Sequence, residues 1–420
     1  MTEPSPERTI LIRLSGPDHT GITAALMELL DSFGCTIEDV EQIVTRGRLT
    51  LEILVKFDAM LDPRALLLLF GYERKLAVEF EDVSSEPSRK APGLVVTILG
   101  QVVKPEDFGA IAALVSVYDG NIDRIVRLGR KPVMAFELAI SCTNRDGLRV
   151  ALLSKAHELK ADLAVHNQGI GRRNKRLVVM DVDSTLIQDE AIELVAAEAG
   201  SLPEVARITD SAMAGEINFN DSLEERVATL AGVDTEAFGR ITQRIRLTPG
   251  ARTFIRTLKG LGYKTAIVSG GFTFVTDYLA EHLGIDYSFA NTLEVSAEGK
   301  LTGRTTGAVV DQAGKATILR HLAEIENIPV DQVVAVGDGA NDLAMLDAAG
   351  LGIAFNARAV VQRAADTALN VPYLDAILFV LGLHQEELED AGFANTGPID
   401  LSSLQKDGLL PQPTPTRRRD

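Results

Sequence analysis

The 420-residue sequence predicts an α/β protein, a doubly wound parallel sheet with a helical cap, preceded by two small α+β units. Three observations carry this reading. After residue 172, short apolar strands alternate with helical periodicity, and each strand runs into a turn containing Gly or Asp, the pattern of a parallel sheet built by crossover connections. Residues 187–247 interrupt that alternation with helical periodicity and no strand pattern, which reads as a cap inserted after the first strand. Before residue 172 the order strand, helix, strand, strand, helix, strand occurs twice, about 88 residues apart.

In the first copy, 9–15 reads as a strand, 21–33 as an amphipathic helix, and 36–45 with 48–57 as a hairpin turning at Gly47; a helix and a short strand follow. In the second copy, 94–100 reads as strand, 107–117 as helix, and 121–128 and 132–141 as extended segments. Gly21, Ala24, Ala25 and Leu26 echo Gly109, Ala112, Ala113 and Leu114. Residues 81–93, rich in Ser, Pro and charge, read as a linker between the copies. The expected domain limits are 8–86, 93–170 and 175–385, with apolar strands at 176–180, 263–268 and 332–336 in the last. From Gly408 onward three prolines and three consecutive arginines leave little to pack, so 408–420 is expected to be disordered.

Composition narrows the function. Hydrophobic residues make up 46% and charged residues 24%, as in globular proteins with a sizeable core. A formal charge of −17 repels phosphate backbones and anionic lipid surfaces, so neither nucleic acid nor a membrane is the expected partner. Cys35 and Cys142 lack zinc-ligand spacing and read as buried, reduced thiols. The first residues lack a basic flank and an apolar core, and the longest apolar run, 65–70, is too short to span a bilayer; the expected compartment is the cytoplasm.

The chemistry concentrates at strand ends. Asp181 and Asp183 follow the apolar strand 176–180, and at a spacing of two in extended geometry both carboxylates project to one side, toward the crevice at the sheet's carboxyl edge. One could attack phosphorus while the other handles protons, although an Asp-x-Asp also caps ordinary turns. Strand 332–336 ends in Gly-Asp338-Gly-Ala-Asn341-Asp342, where Asp338 would complete an oxygen-only magnesium site with Asp181 and Asp183, and Asp342 is a possible further site residue. A dinucleotide fingerprint is the rival, but Asp342 stands where its third glycine belongs. Strand 263–268 delivers Ser269, Gly270 and Gly271 to the start of a helix, where a hydroxyl and free amides could hold an anion; such a turn also arises for steric reasons alone. Lys315 opens a further helix and could neutralise phosphate and nucleophile together. None of the six histidines falls in these motifs.

In this order the four motifs resemble the haloacid dehalogenase superfamily of phosphotransferases, over about 176–385, which implies a haloacid dehalogenase-like core. Within the cap, the run through Glu190 and the run Met213 to Arg226 are similar to the phosphoserine phosphatase family. That resemblance implies that Glu190 meets the substrate's ammonium, that Arg226 grips its carboxylate, and that Met213 and Phe219 close over it. A guanidinium fork suits a carboxylate and Glu190 suits an ammonium; the alternative is an exposed helix-face pair. The implied reaction is hydrolysis of phosphoserine, with Asp181 as nucleophile, Asp183 as acid and base, Lys315, Ser269, Gly270 and Gly271 around the phosphoryl group, Asn341 and Asp342 ordering the loop, and Mg2+ (or Mn2+) at Asp181, Asp183 and Asp338. The first two units resemble tandem ACT domains, which are ferredoxin-like modules. That likeness implies amino-acid binding at Asp18 and Gly21, and in the second copy at Gly109, with serine as an effector, and a homodimer. Another phosphomonoesterase or phosphotransferase, or a non-catalytic amino-acid-binding regulator, remains an alternative at this point.

Overall fold

Alternation of apolar and polar residues along Glu7–Pro17 buries every second side chain, and this strand, β1, forms the middle of the first sheet. The computed structural model describes residues 7–83, 93–156, 158, 159, 161–169, 171, 174–213 and 216–393. Most of the expected linker and the tail 408–420 lie outside these. Two compact units divide at residues 90 and 91, and each is described by itself.

In the first unit β1 is followed by α1 (Ile22–Ser32), β2 (Thr36–Thr45), β3 (Arg48–Asp58), α2 (Arg64–Arg74) and β4 (Ala77–Asp82). The antiparallel sheet has the order β2-β3-β1-β4. The β2–β3 hairpin turns through Arg46 and Gly47, both with positive φ, as a two-residue hairpin loop requires. Ile10, Ile12, Leu14, Leu26 and Leu67 fill the core. Cys35 is only half-buried, because it sits beyond the helix end rather than under it; it is a free thiol, as is the buried Cys142.

The second unit begins with β5 (Gly93–Gly100), α3 (Pro105–Val117), β6 (Asn121–Gly129), β7 (Met134–Ser141), α4 (Arg145–Ala156) and β8 (Asp162–Asn167), in sheet order β6-β7-β5-β8. Helix α3 starts earlier than the echo with α1 predicts. Pro105 at its first turn and the Asp107 carboxylate, which accepts from Lys104 N at 2.8 Å, set the start.

The same unit continues through β9 (Leu177–Met180), α5 (Ala191–Ala199), α6 (Leu202–Met213), α7 (Phe219–Ala228), α8 (Ala237–Arg244), α9 (Ala251–Gly260), β10 (Lys264–Phe272), α10 (Thr273–Leu283), β11 (Tyr287–Val295) and β12 (Leu301–Thr306). It closes with α11 (Gln312–Ile325), β13 (Val333–Gly337), α12 (Leu343–Ala348), β14 (Leu351–Phe355), α13 (Ala359–Ala364), β15 (Thr367–Leu369), α14 (Ile377–Val380) and α15 (Gln385–Asp390). Seven strands run in the order β12-β11-β10-β9-β13-β14-β15. The sheet is parallel from β11 to β15, and β12 turns it antiparallel at one edge. Strand β12 escapes a reading for apolar runs because only Leu301 is buried in it. Apolar clusters cover both faces of β9 and β13, and the larger one extends into cap helices α5 to α8. The reversal of connection direction around β9 opens the crevice that receives the chain ends of β9, β10 and β13. Among the described residues no helix is long and apolar enough to cross a membrane.

Candidate active site

Strand β9 is a completely buried run, and Asp181 leaves its end with its N–H donating to Val336 O at 2.9 Å. Neighbouring β13 ends in Gly337, where a Cβ would lie 2.4 Å from the Asp342 side chain, so glycine is needed for the acid to fold back under the strand end. Helix α11 is capped by Asp311, whose carboxylate accepts from Gly314 N at 2.8 Å, and its first turn delivers Lys315 to the same point.

These three elements form a charged knot. Lys315 Nζ lies 2.8 Å from Asp181 Oδ1 and 2.7 Å from Asp342 Oδ1, and the three residues are 1%, 3% and 0% exposed. Burial opposes the lysine's charge, but the two carboxylates outweigh it and hold the ammonium above its usual range. The other oxygen of Asp342 accepts from Gly339 N at 3.0 Å, and Asp338 Oδ1 accepts from Thr185 Oγ1 at 3.0 Å. Burial and the nearby Asp342 push Asp338 up to about 6. Burial and repulsion from Asp342 likewise raise Asp181 well above the carboxylate range, against the pull of Lys315.

Asp181, Asp338 and Asp342 each offer a carboxylate oxygen within 4.8 Å of the others. Their donors are all hard oxygens, and Lys315 alone leaves their negative charge under-compensated, so the set fits a divalent cation. The expected third carboxylate, Asp183, is not in this group. The chain leaves strand geometry directly after Asp181, in the turn Val182–Leu186, so the two-residue alternation is lost and the Asp183 side chain faces the cap. Asp183 Oδ1 there accepts from Ala191 N at 2.6 Å, and Oδ2 accepts from Ser269 Oγ at 3.0 Å. Burial raises its pKa against the lowering effect of the Ala191 N–H.

Ser269, Gly270 and Gly271 lie in an irregular end of β10, ahead of the Phe272 cap of α10 rather than at the helix start. Gly271 N donates to Ser269 Oγ at 2.7 Å, so its amide is committed within the turn. A Cβ at Gly271 would stand 2.8 Å from Asp183 Oδ2. Asn291, 1% exposed, escaped the sequence reading: its Nδ2 donates to Gly270 O at 2.9 Å and its Oδ1 accepts from Val310 N at 2.8 Å. It joins the Ser269 turn to the loop before α11; its strand also carries Ser288, Thr292 and Glu294, so no polar residue stood out in the sequence.

From the cap side, Glu190 Oε1 accepts from Ser184 Oγ at 2.9 Å, and burial followed by repulsion from Asp183 pushes Glu190 up to about 7. Arg226 on α7 is half-buried, anchored by Nε donating to Ser222 O at 3.1 Å. Burial lowers its pKa while Glu190 and Asp183 counteract, which places its charge toward both acids. The Phe219 ring lies against Gly270, where a Cβ would meet it at 3.1 Å. Asn341 lies beside Gly339 in the turn before α12. Met213 ends α6, and its side chain lies outside the described residues.

In the first unit, Gly21 caps α1 in the left-handed region (φ 91°), and exposed Asp18 donates its N–H to Gly47 O at 2.9 Å. Gly109 differs: it lies inside α3 because that helix begins at Pro105, so it forms no equivalent turn.

A family model described as haloacid dehalogenase-like hydrolase matches residues 178–347, and two ACT domain models match 8–81 and 93–166. A phosphoserine phosphatase of Streptomyces coelicolor is 49% identical over 91% of this chain and 94% of its own length. Phosphoserine phosphatase SerB2 of Mycobacterium tuberculosis is 42% identical over 93% and 97%. The crystal structure of a probable phosphoserine phosphatase from Vibrio cholerae, in unliganded form, matches with TM-score 0.56 and 33% identity, covering 76% of this chain and 93% of that one. The chain therefore belongs to the phosphoserine phosphatase family of haloacid dehalogenase-like hydrolases and carries two ACT domains ahead of its hydrolase domain.

Proposed function

We propose that the chain hydrolyses O-phospho-L-serine to serine and phosphate through a phosphorylated Asp181. The observation that carries this is the knot of Asp181, Lys315 and Asp342 at the end of β9, with Asp183, Glu190 and Arg226 gathered on its cap side. Asp181 Oδ1 accepts from Lys315 and from Val182 N, which leaves Oδ2 to attack phosphorus. As the ester bond breaks, the serine oxygen takes the proton of Asp183, whose raised pKa favours that proton being present. In the second half Asp183 removes a proton from water, and the water oxygen displaces phosphate from Asp181. Lys315 and the Gly270 amide offset the charge on the equatorial oxygens; the Ser269 hydroxyl, now turned to Asp183, can rotate to join them.

Asp181 and Asp338, with Asp342 behind them, would hold a divalent ion, Mg2+ or Mn2+. Such an ion supplies positive charge to the phosphoryl oxygens and keeps Asp181 ionised. Glu190 and Arg226 would take the ammonium and carboxylate of the amino acid, with Phe219 and Met213 covering it. The domain limits we assign are 8–86, 93–170 and 175–385, with the cap at 187–247. Replacing Asp181→Asn should abolish turnover while the fold is kept; continued magnesium-dependent release of phosphate would remove the proposed nucleophile.

We also propose feedback by serine at the Asp18 and Gly21 turn, with pairing of two chains through the ACT units. Serine inhibition that survives in Asp18→Ala at an unchanged half-inhibiting concentration would refute that assignment.

A further inference from the structure

The cap joins the core through two chain crossings, 185–190 and 245–248, and hydrogen bonds tie them into one stem. Ile187 and Leu247 form an antiparallel bridge. Gln188 N donates to Arg246 O at 2.8 Å, and Thr248 N to Leu186 O at 3.0 Å. Thr248 Oγ1 donates to Thr185 O at 2.7 Å. Asp189 and Arg246 close the outer end. Asp189 Oδ1 accepts from Arg246 Nε at 3.0 Å and Nη2 at 2.6 Å, while Oδ2 accepts from the backbone N–H of Arg246 at 2.7 Å. The Asp189 side chain is 10% exposed and that of Arg246 66%. A carboxylate that receives three donors from one residue, one of them backbone, is held far more tightly than an ordinary surface ion pair.

Glu190 follows Asp189 directly, and its carboxylate is fixed by Ser184, a residue of the core turn. Glu190 is therefore attached to the stem and the core. Arg226, by contrast, comes from α7 and takes no part in the stem. Glu190 thus stands where the stem enters cap helix α5, whereas Arg226 reaches the site from α7, so the stem fixes one of the two side chains proposed to read the amino-acid end of the substrate more directly than the other.

We propose that the Asp189–Arg246 clasp positions Glu190 relative to Arg226 and so sets affinity for the amino-acid part of the substrate, leaving phosphoryl transfer untouched. This rests on the reading of Glu190 and Arg226 given above. Neither Asp189 nor Arg246 touches substrate in that reading, so both are positioning residues.

Arg246→Gln and Asp189→Asn test it, with Arg240→Gln as control, since exposed Arg240 pairs with Glu198 elsewhere on the cap. Each variant is assayed with phosphoserine and with p-nitrophenyl phosphate, which lacks both amino-acid charges, and amide exchange is followed over 186–190 and 245–248. We expect the KM for phosphoserine to rise about 5- to 20-fold, with kcat and the p-nitrophenyl phosphate parameters within about twofold, as for loss of binding shared by ground and transition states. Exchange in the stem should quicken about tenfold, Arg246→Lys should recover part of the KM, and the control should match the parent. Equal loss for both substrates, or a phosphoserine KM within about twofold of the parent, would overturn the proposal. If the unaltered protein showed no preference for phosphoserine, the substrate reading would fall separately. Stem exchange separates the two failures: an unchanged rate in Arg246→Gln refutes the clasp whatever the substrate, and a quickened rate without a phosphoserine preference leaves the stem intact but overturns its role in affinity.

Discussion

Replacing Lys315→Met removes the buried cation of the knot and keeps most of its length. Nζ lies 2.8 Å from Asp181 Oδ1 and 2.7 Å from Asp342 Oδ1, so two charge-assisted hydrogen bonds are lost. Bonds of this kind are worth roughly 1.5–3 kcal/mol each, and removing one partner of a buried ion pair costs about 3–5 kcal/mol. We therefore expect a loss of about 4 kcal/mol at pH 7.5 in chelator-treated buffer. The loss should depend on pH. Burial and Asp342 already raise Asp181 in the folded protein, and without Lys315 it rises further. A carboxyl raised on folding has no effect below its unfolded pKa of about 3.9 and loses stability as pH climbs toward its folded value, by about 1.4 kcal/mol per unit. The difference between parent and variant should accordingly shrink at pH 5. Urea unfolding followed by circular dichroism at both pH values measures it, alongside phosphate release with excess magnesium. The double variant Lys315→Met/Asp342→Asn should regain stability but not turnover. A pH-independent loss, or a double variant no more stable than the single one, would refute the reasoning.

Glu190, pushed up to about 7, is half-protonated near neutrality, and an ammonium binds its carboxylate form; the KM for phosphoserine should fall as pH rises from 6 to 8, and Glu190→Gln should flatten that profile. A methyl at Gly271 would press on Asp183 Oδ2 from 2.8 Å, so Gly271→Ala should lower kcat by about 10²-fold with the fold retained, measured as phosphate release and circular dichroism together. Asp162, 9% exposed, accepts from Asn370 N at 2.6 Å, Asn370 Nδ2 at 2.8 Å and Val371 N at 3.0 Å; Asp162→Ala should cost about 2–4 kcal/mol and quicken amide exchange around 367–371 without changing KM.

Strand ends were the legible part of the site. Asp181, Asp338 and Lys315 could be placed because a buried apolar run or a helix start fixes where the next residue emerges. The direction of Asp183 was not legible, since it depends on strand geometry ending directly after Asp181, in the turn Val182–Leu186, a stretch with no glycine or proline to announce the break. The pairing of Lys315 with Asp342 and the clasp of Asp189 with Arg246 join residues 27 and 57 positions apart, which local periodicity does not register. Only an acid and a base at opposite ends of the inserted cap hinted at the second. In the fold, β9 and β13 stood out as continuous apolar runs, whereas β15 has three residues and β12 faces solvent along most of its length, so neither shows a strand period.

The Asp162 clasp also bears on how the chain avoids sticking to itself. Strand β15 ends the seven-stranded sheet and β8 ends the second ACT sheet, and each would otherwise present unpaired backbone groups as a template for another chain. Because Asp162 at the start of β8 takes the amides that follow β15, the two borders shelter one another. Trimming the chain down to its hydrolase portion would uncover a strand border, and with it a route to aggregation that the longer chain keeps closed.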